Sequence, residues 1–281
     1  MDVIGSIRET DDSARVGRMR SLAEQAAGVA LRHFQSATLG VRTKSDASPV
    51  TEADLEIEAL LREQINAAFP DDGLLGEEHG TREGSSGYRW VIDPIDGTIS
   101  FAAGVPLFGT LIALEYDDGS ARSVVAGICS MPALGECVWA ARGHGAWWER
   151  RGADGAIRRT AARVRSAVPL AEALVCTSGL EYFERAGRTD ALVAVARAAG
   201  CIRGWSDCYG GMLVATGRAD AWFDPIMRPW DAGPFPAILA EAGGAFTDWQ
   251  GRADIHGGSA VAAAPALHAE LLGLLRSGAA R

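Results

Sequence analysis

Trp90-Val91-Ile92-Asp93-Pro94-Ile95-Asp96-Gly97-Thr98 is the stretch around which the rest of the chain is organised. Its apolar opening, Trp90 to Ile92, reads as a buried strand. Pro94 has no N–H to offer a neighbouring strand, so the pattern predicts that the strand stops there and leaves Asp93 and Asp96 on a turn. Gly97 lets the backbone come close to a ligand. Two carboxylates beside backbone carbonyls are hard oxygen donors of the kind that suit Mg²⁺. The Thr98 hydroxyl and the amides of Gly97 and Thr98 can face an anion if a helix or nest begins here. The same residues also make an Asp-Pro turn followed by an Asp-Gly turn, a common loop device without chemistry.

The longer string favours chemistry. Asp93-Pro94-Ile95-Asp96-Gly97-Thr98, with Phe101 behind it, resembles the signature of the inositol monophosphatase-like family of metal-dependent phosphatases. That resemblance runs from about residue 16 to 275 and implies a layered αβαβα sandwich.

Composition sets the bounds. At 281 residues, with 48% hydrophobic and 22% charged, the chain is ordinary for a globular protein of one large domain or two smaller ones. A net charge of −9 leaves no basic footprint for nucleic acid. An acidic protein acting on an anion must neutralise it locally, and bound cations are the obvious means. Five cysteines (Cys129, Cys137, Cys176, Cys201, Cys208) with no Cys-x-x-Cys fit reduced, buried thiols better than a disulfide frame or a zinc site. No apolar run is long enough for a bilayer, and Met1-Asp2-Val3 opens no signal-peptide pattern, so the expectation is a soluble, cytoplasmic protein.

Outward from the central stretch, residues 1–14 are polar and expected to fray. Val16, Met19, Leu22, Ala26, Val29, Ala30 and Phe34 recur at helical spacing over 14–37. A polar loop through Lys44 to Pro49 precedes a second helix, opened by Thr51 and Asp54 at capping-box spacing and running to about Phe69. Residues 81–87 read as a mobile loop. Strands at 108–116, 122–130, 136–141 and 145–149 suggest an antiparallel block. Beyond residue 151, strands at 173–176, 201–203, 219–223, 245–248 and 260–264 alternate with helices at 189–199, 207–216, 231–242 and 266–277. The expected division is an α+β metal- and phosphate-binding half, 1–150, and an α/β substrate-recognition half, 151–281. The histidines (His33, His79, His144, His256, His268) show no ligand spacing and read as surface or loop residues, and the eight tryptophans as mostly core.

The remaining acids take meaning from the resemblance. Gly76-Glu77-Glu78 is similar to the family's Gly-Glu-Glu, which makes Glu77 a metal ligand and Glu78 structural or outer-shell. Trp230-Asp231, with Gly243-Gly244 downstream, is similar to its second signature, although Pro234 and Pro236 interrupt the usual helix opening and shift its expected start. In isolation Asp231 is equally a helix-start acid. The implied set is Glu77, Asp93, Asp96, Asp231 and the Ile95 carbonyl around two or three Mg²⁺ ions, with substrate in the crevice between the halves. Thr98, hydrogen-bonded to Asp54, resembles the pair that orients the attacking water, with Glu77 counted among the catalytic acids and Gly97 and Thr98 binding phosphate. Lys44 reads as a surface lysine, with order over the site as its other role.

The leaving group is read by the second half. Gly204-Trp205-Ser206-Asp207-Cys208-Tyr209 is similar to the histidinol-phosphate phosphatase branch, where the inositol phosphatases carry a small neutral residue at the Asp207 position. A partly buried carboxylate pairs with an ammonium through a charge-assisted bond and is left desolvated beside a ligand that has only hydroxyls. Asp207, Asp224 and Trp205 are therefore candidate substrate contacts, Trp205 by stacking on imidazole, while Asp207 or Ser206 as a helix N-cap is the bland alternative. The expectation is a Mg²⁺-dependent phosphomonoesterase acting on a small phosphate monoester, L-histidinol phosphate, and the family resemblance implies a homodimer. An inositol or broader sugar-phosphate phosphatase is the rival within the class. A non-catalytic interaction protein on the same fold is the rival outside it, and the intact acid set argues against that.

Overall fold

The computed structural model describes residues 11–36, 39–43, 49–205 and 207–277. Lys44 and Ser206 lie outside the described residues, as do residues 1–10. Helix α1 (Asp11–His33) turns Val16, Met19, Leu22, Ala26, Val29 and Ala30 inward, as their period requires. The antiparallel pair β1 (Val41–Thr43) and β2 (Pro49–Thr51) leads into α2 (Glu52–Ala68). Thr51 donates its N–H (2.8 Å) and its hydroxyl (2.5 Å) to Asp54 Oδ2 and closes the expected capping box.

Next come β3 (Gly73–Gly76), β4 (Gly80–Arg82), β5 (Tyr88–Asp96) and the short α3 (Thr98–Ala102). The strands β6 (Gly109–Asp117), β7 (Arg122–Met131), β8 (Glu136–Ala141), β9 (Ala146–Arg151) and β10 (Ile157–Ala161) then run as a meander. All but the first two strands form one sheet in the order β10-β9-β8-β7-β6-β5-β3-β4, with β3 and β5 parallel and the other neighbours antiparallel. The second half supplies β11 (Leu174–Cys176), α4 (Leu180–Arg185), α5 (Thr189–Ala198), β12 (Cys201–Arg203), α6 (Asp207–Ala215) and β13 (Ala221–Asp224). It ends with α7 (Pro229–Ala232), α8 (Phe235–Glu241), β14 (Ala245–Thr247), β15 (Ala260–Ala263) and α9 (Pro265–Ser277). Its sheet has the order β12-β11-β13-β15-β14, with the first three strands parallel.

Alternation along the strands makes the layers. On β5, Trp90 and Ile92 pack with Ile57 and Leu61 under α1 and α2, while Val91 faces Met212 and Phe235 of α6 and α8. On β13, Trp222 joins that same middle layer, while Ala221 and Phe223 face Val195 and Leu271 of α5 and α9. The result is the expected αβαβα sandwich. Gly127 on β7 admits Pro234 at the head of α8, because a Cβ there would lie 2.5 Å from Pro234 Cα.

Several local expectations fail for physical reasons. Strand β5 does not stop at Pro94: Asp93 pairs with Leu111 and Asp96 with Gly109 across a bulge, a place where a residue without an N–H is tolerated. Thr110 Oγ1 donates to the Pro94 carbonyl at 2.8 Å and pins that bulge. The loop expected from residue 81 begins later, since Gly80–Arg82 pair with β3. The helix expected over 231–242 is two helices, because Gly233 and the prolines at 234 and 236 break it. Strand β10 and helix α4 escaped the reading, and His268 is buried, its Nε2 3.0 Å from the Thr247 hydroxyl. The five cysteines are free thiols, Cys129, Cys176 and Cys208 buried as expected but Cys137 and Cys201 only partly so, and no described helix is long and apolar enough to cross a membrane.

Candidate active site

The bulge in β5 brings Asp93 and Asp96 to the same end of the large sheet, and both are buried. Asp231 comes from the first turn of α7, where its Oδ2 accepts the Arg228 N–H at 2.8 Å. Each of the three offers a carboxylate oxygen, and these oxygens lie within 4.8 Å of one another. Glu77, in the turn between β3 and β4, does not join that tight group, but its charge reaches both Asp93 and Asp231. The chain therefore gathers the four acids singled out in the sequence, three closely and one beside them.

Burial first, then the charges of Glu77, Asp96, Asp231 and Asp54, push the Asp93 carboxyl well above the usual carboxylate range. Asp96 is raised by burial, then by Asp207 and Asp231, against a hydrogen bond from Cys208. Asp231 is pushed up to about 7 by burial, with the Arg228 N–H opposing and Glu77 and Asp207 adding to the rise. Carboxylates crowded in this way have the charge and donor type to hold a cation. Asp93 Oδ1 is buried with no hydrogen-bond partner among the described residues, as an oxygen reserved for a metal would be. An all-oxygen donor set of this charge fits a hard divalent ion, and the Ile95 carbonyl lies between the two β5 acids in sequence.

Gly97 adopts the left-handed region (φ 83°) and turns the chain from β5 into α3. A Cβ at this position would lie 2.8 Å from the Leu107 carbonyl and 3.3 Å from Asp207 Oδ2. Thr98 opens α3, and its hydroxyl donates to the Ile95 carbonyl at 3.0 Å. The expected bond from Thr98 to Asp54 is not the one formed: the Thr98 hydroxyl closes its own turn, and Asp54 Oδ2 is engaged by the Thr51 cap. Asp54 still lies near enough to raise Asp93.

Asp207 begins α6 with a positive φ of 53°, and its charge is felt by Asp96, Asp231 and Asp224. Asp224 ends β13 and is buried. Its Oδ1 accepts the Ser178 N–H (2.6 Å) and the Thr177 hydroxyl (3.3 Å), and its Oδ2 the Trp222 indole N–H (2.6 Å). Burial pushes it up to about 7 against the hydrogen bonds from Ser178 and Trp222. Trp205 is exposed. Tyr182 on α4 was missed in the sequence, yet its phenol lies within the field of Asp207 and Asp96. Nothing local marks it, because its nearness to Asp96 and Asp207 is made by the fold.

This fold and site agree with known proteins. The inositol monophosphatase family model matches residues 14–279. The chain is 42% identical over 243 residues to a histidinol-phosphatase of Chlorobaculum parvum, covering 86% of this chain and 89% of that one. It is 40% identical over 255 residues to the histidinol-phosphatase of Streptomyces coelicolor, covering 90% and 94%. The crystal structure of the extragenic suppressor protein SuhB from Bartonella henselae superposes with a TM-score of 0.82 at 27% identity, over 94% of this chain and 99% of that one. The chain belongs to the inositol monophosphatase family, a family of metal-dependent phosphatases, and is a phosphoric monoester hydrolase.

Proposed function

We propose that the chain hydrolyses L-histidinol phosphate to L-histidinol and inorganic phosphate with Mg²⁺ held by Asp93, Asp96, Asp231, Glu77 and the Ile95 carbonyl. The observation that carries the substrate is Asp207, a further acid beside a cluster already rich in negative charge. Divalent ions offset the charge of the inner acids, and the Asp207 carboxylate can add a charge-assisted bond to a substrate ammonium. The histidinol-phosphatases similar to this chain support the same choice.

When bound, magnesium supplies the charge that activates water and stabilises the phosphoryl oxygens. The chain's own groups do the rest. The amides of Gly97 and Thr98 donate to the phosphate, and the Thr98 hydroxyl, set by Ile95, orients the water. Water oxygen attacks phosphorus, the P–O bond to the alcohol breaks, and the alcohol oxygen leaves with a proton. Asp207 pairs with the ammonium and Trp205 stacks on imidazole. Asp224, its oxygens already engaged by Ser178 and Trp222, braces the end of β13 rather than gripping the ligand.

The test is phosphate release across histidinol phosphate, inositol 1-phosphate, fructose bisphosphate and nucleotide 3′-phosphates. The expected result is the highest kcat/KM for histidinol phosphate, abolished by chelator and restored by Mg²⁺. A higher kcat/KM for inositol 1-phosphate overturns the substrate, and full activity after chelation overturns the metal.

A further inference from the structure

Glu58 lies fully buried on α2, and its carboxylate addresses the backbone of the β3–β4 turn. Oε2 accepts the N–H of Glu78 at 2.7 Å, and Oε1 accepts that of His79 at 3.0 Å. One helical turn on, Arg62 donates Nε to Oε1 at 2.7 Å and Nη2 to the Gly80 carbonyl at 2.5 Å. His79 Nδ1 stands 3.4 Å from the same Oε1. The clamp also touches the residue before Glu77: a Cβ on Gly76 would lie 2.3 Å from Glu58 Oε1 and 2.8 Å from Arg62 Nη2. A larger residue at 76 would push the Glu58 carboxylate and the Arg62 guanidinium off these bonds.

We propose that Glu58 is a positioning residue for Glu77, fixing the turn that carries it so that its carboxylate stays with the acids of β5 and α7. The inference rests on reading Glu77 as a metal-holding acid. A buried carboxylate persists when its oxygens are filled, and here two backbone amides and an arginine fill them. The amides belong to the two residues that follow Glu77, so the turn cannot swing without breaking both. The charge of Glu77 acts on Asp93 in one half and on Asp231 in the other, so where the turn holds it matters to both. Partners of this kind behind a ligand raise metal affinity by holding the ligand's direction.

The experiment is calorimetric titration of the full chain with Mg²⁺ alone, for wild type, Glu58→Gln and Glu77→Gln. Glutamine keeps the shape of Glu58 but turns an N–H donor onto one of the amide donors. Glu58→Gln is expected to bind Mg²⁺ about 10- to 100-fold more weakly, with kcat returning toward wild type at saturating metal. Unchanged affinity in Glu58→Gln beside weakened affinity in Glu77→Gln overturns the positioning role and spares the Glu77 reading. Unchanged affinity in both overturns that reading and the inference with it. If Glu58→Gln does not fold, amide hydrogen exchange in the wild type decides: the amides of Glu78 and His79 are expected to be protected, and exchange at the rate of free amides overturns the clamp.

Discussion

The backbone N–H of Cys208, in the first turn of α6, donates to Oδ2 of Asp96 at the end of β5, joining residues 112 positions apart. Asp96 belongs to the large sheet and Cys208 to the second half, so this bond ties the acid cluster to the first turn of α6. It also sets the place of Asp207, which immediately precedes Cys208 and carries the positive φ that directs that N–H. A ligand spanning the acids and Asp207 therefore meets groups held at fixed separation. Such preorganisation is what a phosphatase needs, since phosphate monoesters hydrolyse extremely slowly unaided.

Asp93→Asn is expected to abolish turnover and leave the fold intact. In metal-free protein the melting temperature should rise, because burial and four neighbouring acids disfavour the charged form that asparagine lacks. The gain in melting temperature that Mg²⁺ gives the wild type should shrink. Near-normal phosphate release by the folded variant at matched Mg²⁺ would remove Asp93 from the site.

Thr98→Ala should lower kcat by roughly two to four orders of magnitude, the range of a positioned proton-transfer group. KM should change less, because the amides proposed to bind the phosphate are backbone groups. The hydroxyl's bond to the Ile95 carbonyl is lost as well, so Mg²⁺ half-saturation should be measured beside kcat. A variant that loses only affinity for substrate recasts Thr98 as a phosphate clamp.

Much of this was legible in the chain because short patterns carried it. The apolar run Trp90 to Ile92, the helical spacing from Val16 to Ala30, and the pairing of Thr51 with Asp54 depend on neighbours in sequence. The unread parts depend on distant partners. The bulge at Pro94 is held by a hydroxyl on Thr110, and Glu58 looks like any solvent-facing helix acid until the 77–80 turn folds over it. Asp224 carries the residue type of a substrate contact, but Ser178 and Trp222, brought in by the second sheet, occupy its oxygens. Residue type could suggest chemistry at such positions; only tertiary packing decides which acids stay open to a ligand.

Stability at low pH should depend on Asp72. Its carboxylate is buried and accepts Arg15 through Nε (2.8 Å) and Nη2 (2.7 Å), the Trp90 indole N–H (2.8 Å) and the Ser86 hydroxyl (2.6 Å). Burial pushes its pKa up, but the hydrogen bonds from Arg15, Ser86 and Trp90 and the Arg15 charge outweigh it, and the net direction is down. A depressed folded-state pKa means stabilisation that is complete above the unfolded value of about 3.9 and is lost as pH falls from there through the folded value. Asp72→Asn should cost about 3–5 kcal/mol at neutral pH, the range for breaking a buried pair. It should also flatten the acid limb of the stability curve. Urea melts of both proteins from pH 7 down to pH 3 measure this, and an unaltered acid limb assigns the acid lability to other carboxylates.

Asp207→Asn separates substrate recognition from chemistry. Asparagine tolerates the left-handed backbone that Asp207 adopts, so the variant keeps the turn and the Cys208 bond to Asp96 while removing one charge. Hydrogen bonds to charged groups contribute about 1.5–3 kcal/mol, or roughly one to two orders of magnitude in kcat/KM. That loss should fall on aminated substrates such as histidinol phosphate. Glycerol phosphate, with no ammonium, should be hydrolysed as well as before or slightly better, because the charge that repels its phosphate is gone. Equal losses on the two substrates would mark Asp207 as a structural residue at the head of α6. The choice of histidinol phosphate would then stand on similarity to the histidinol-phosphatases alone.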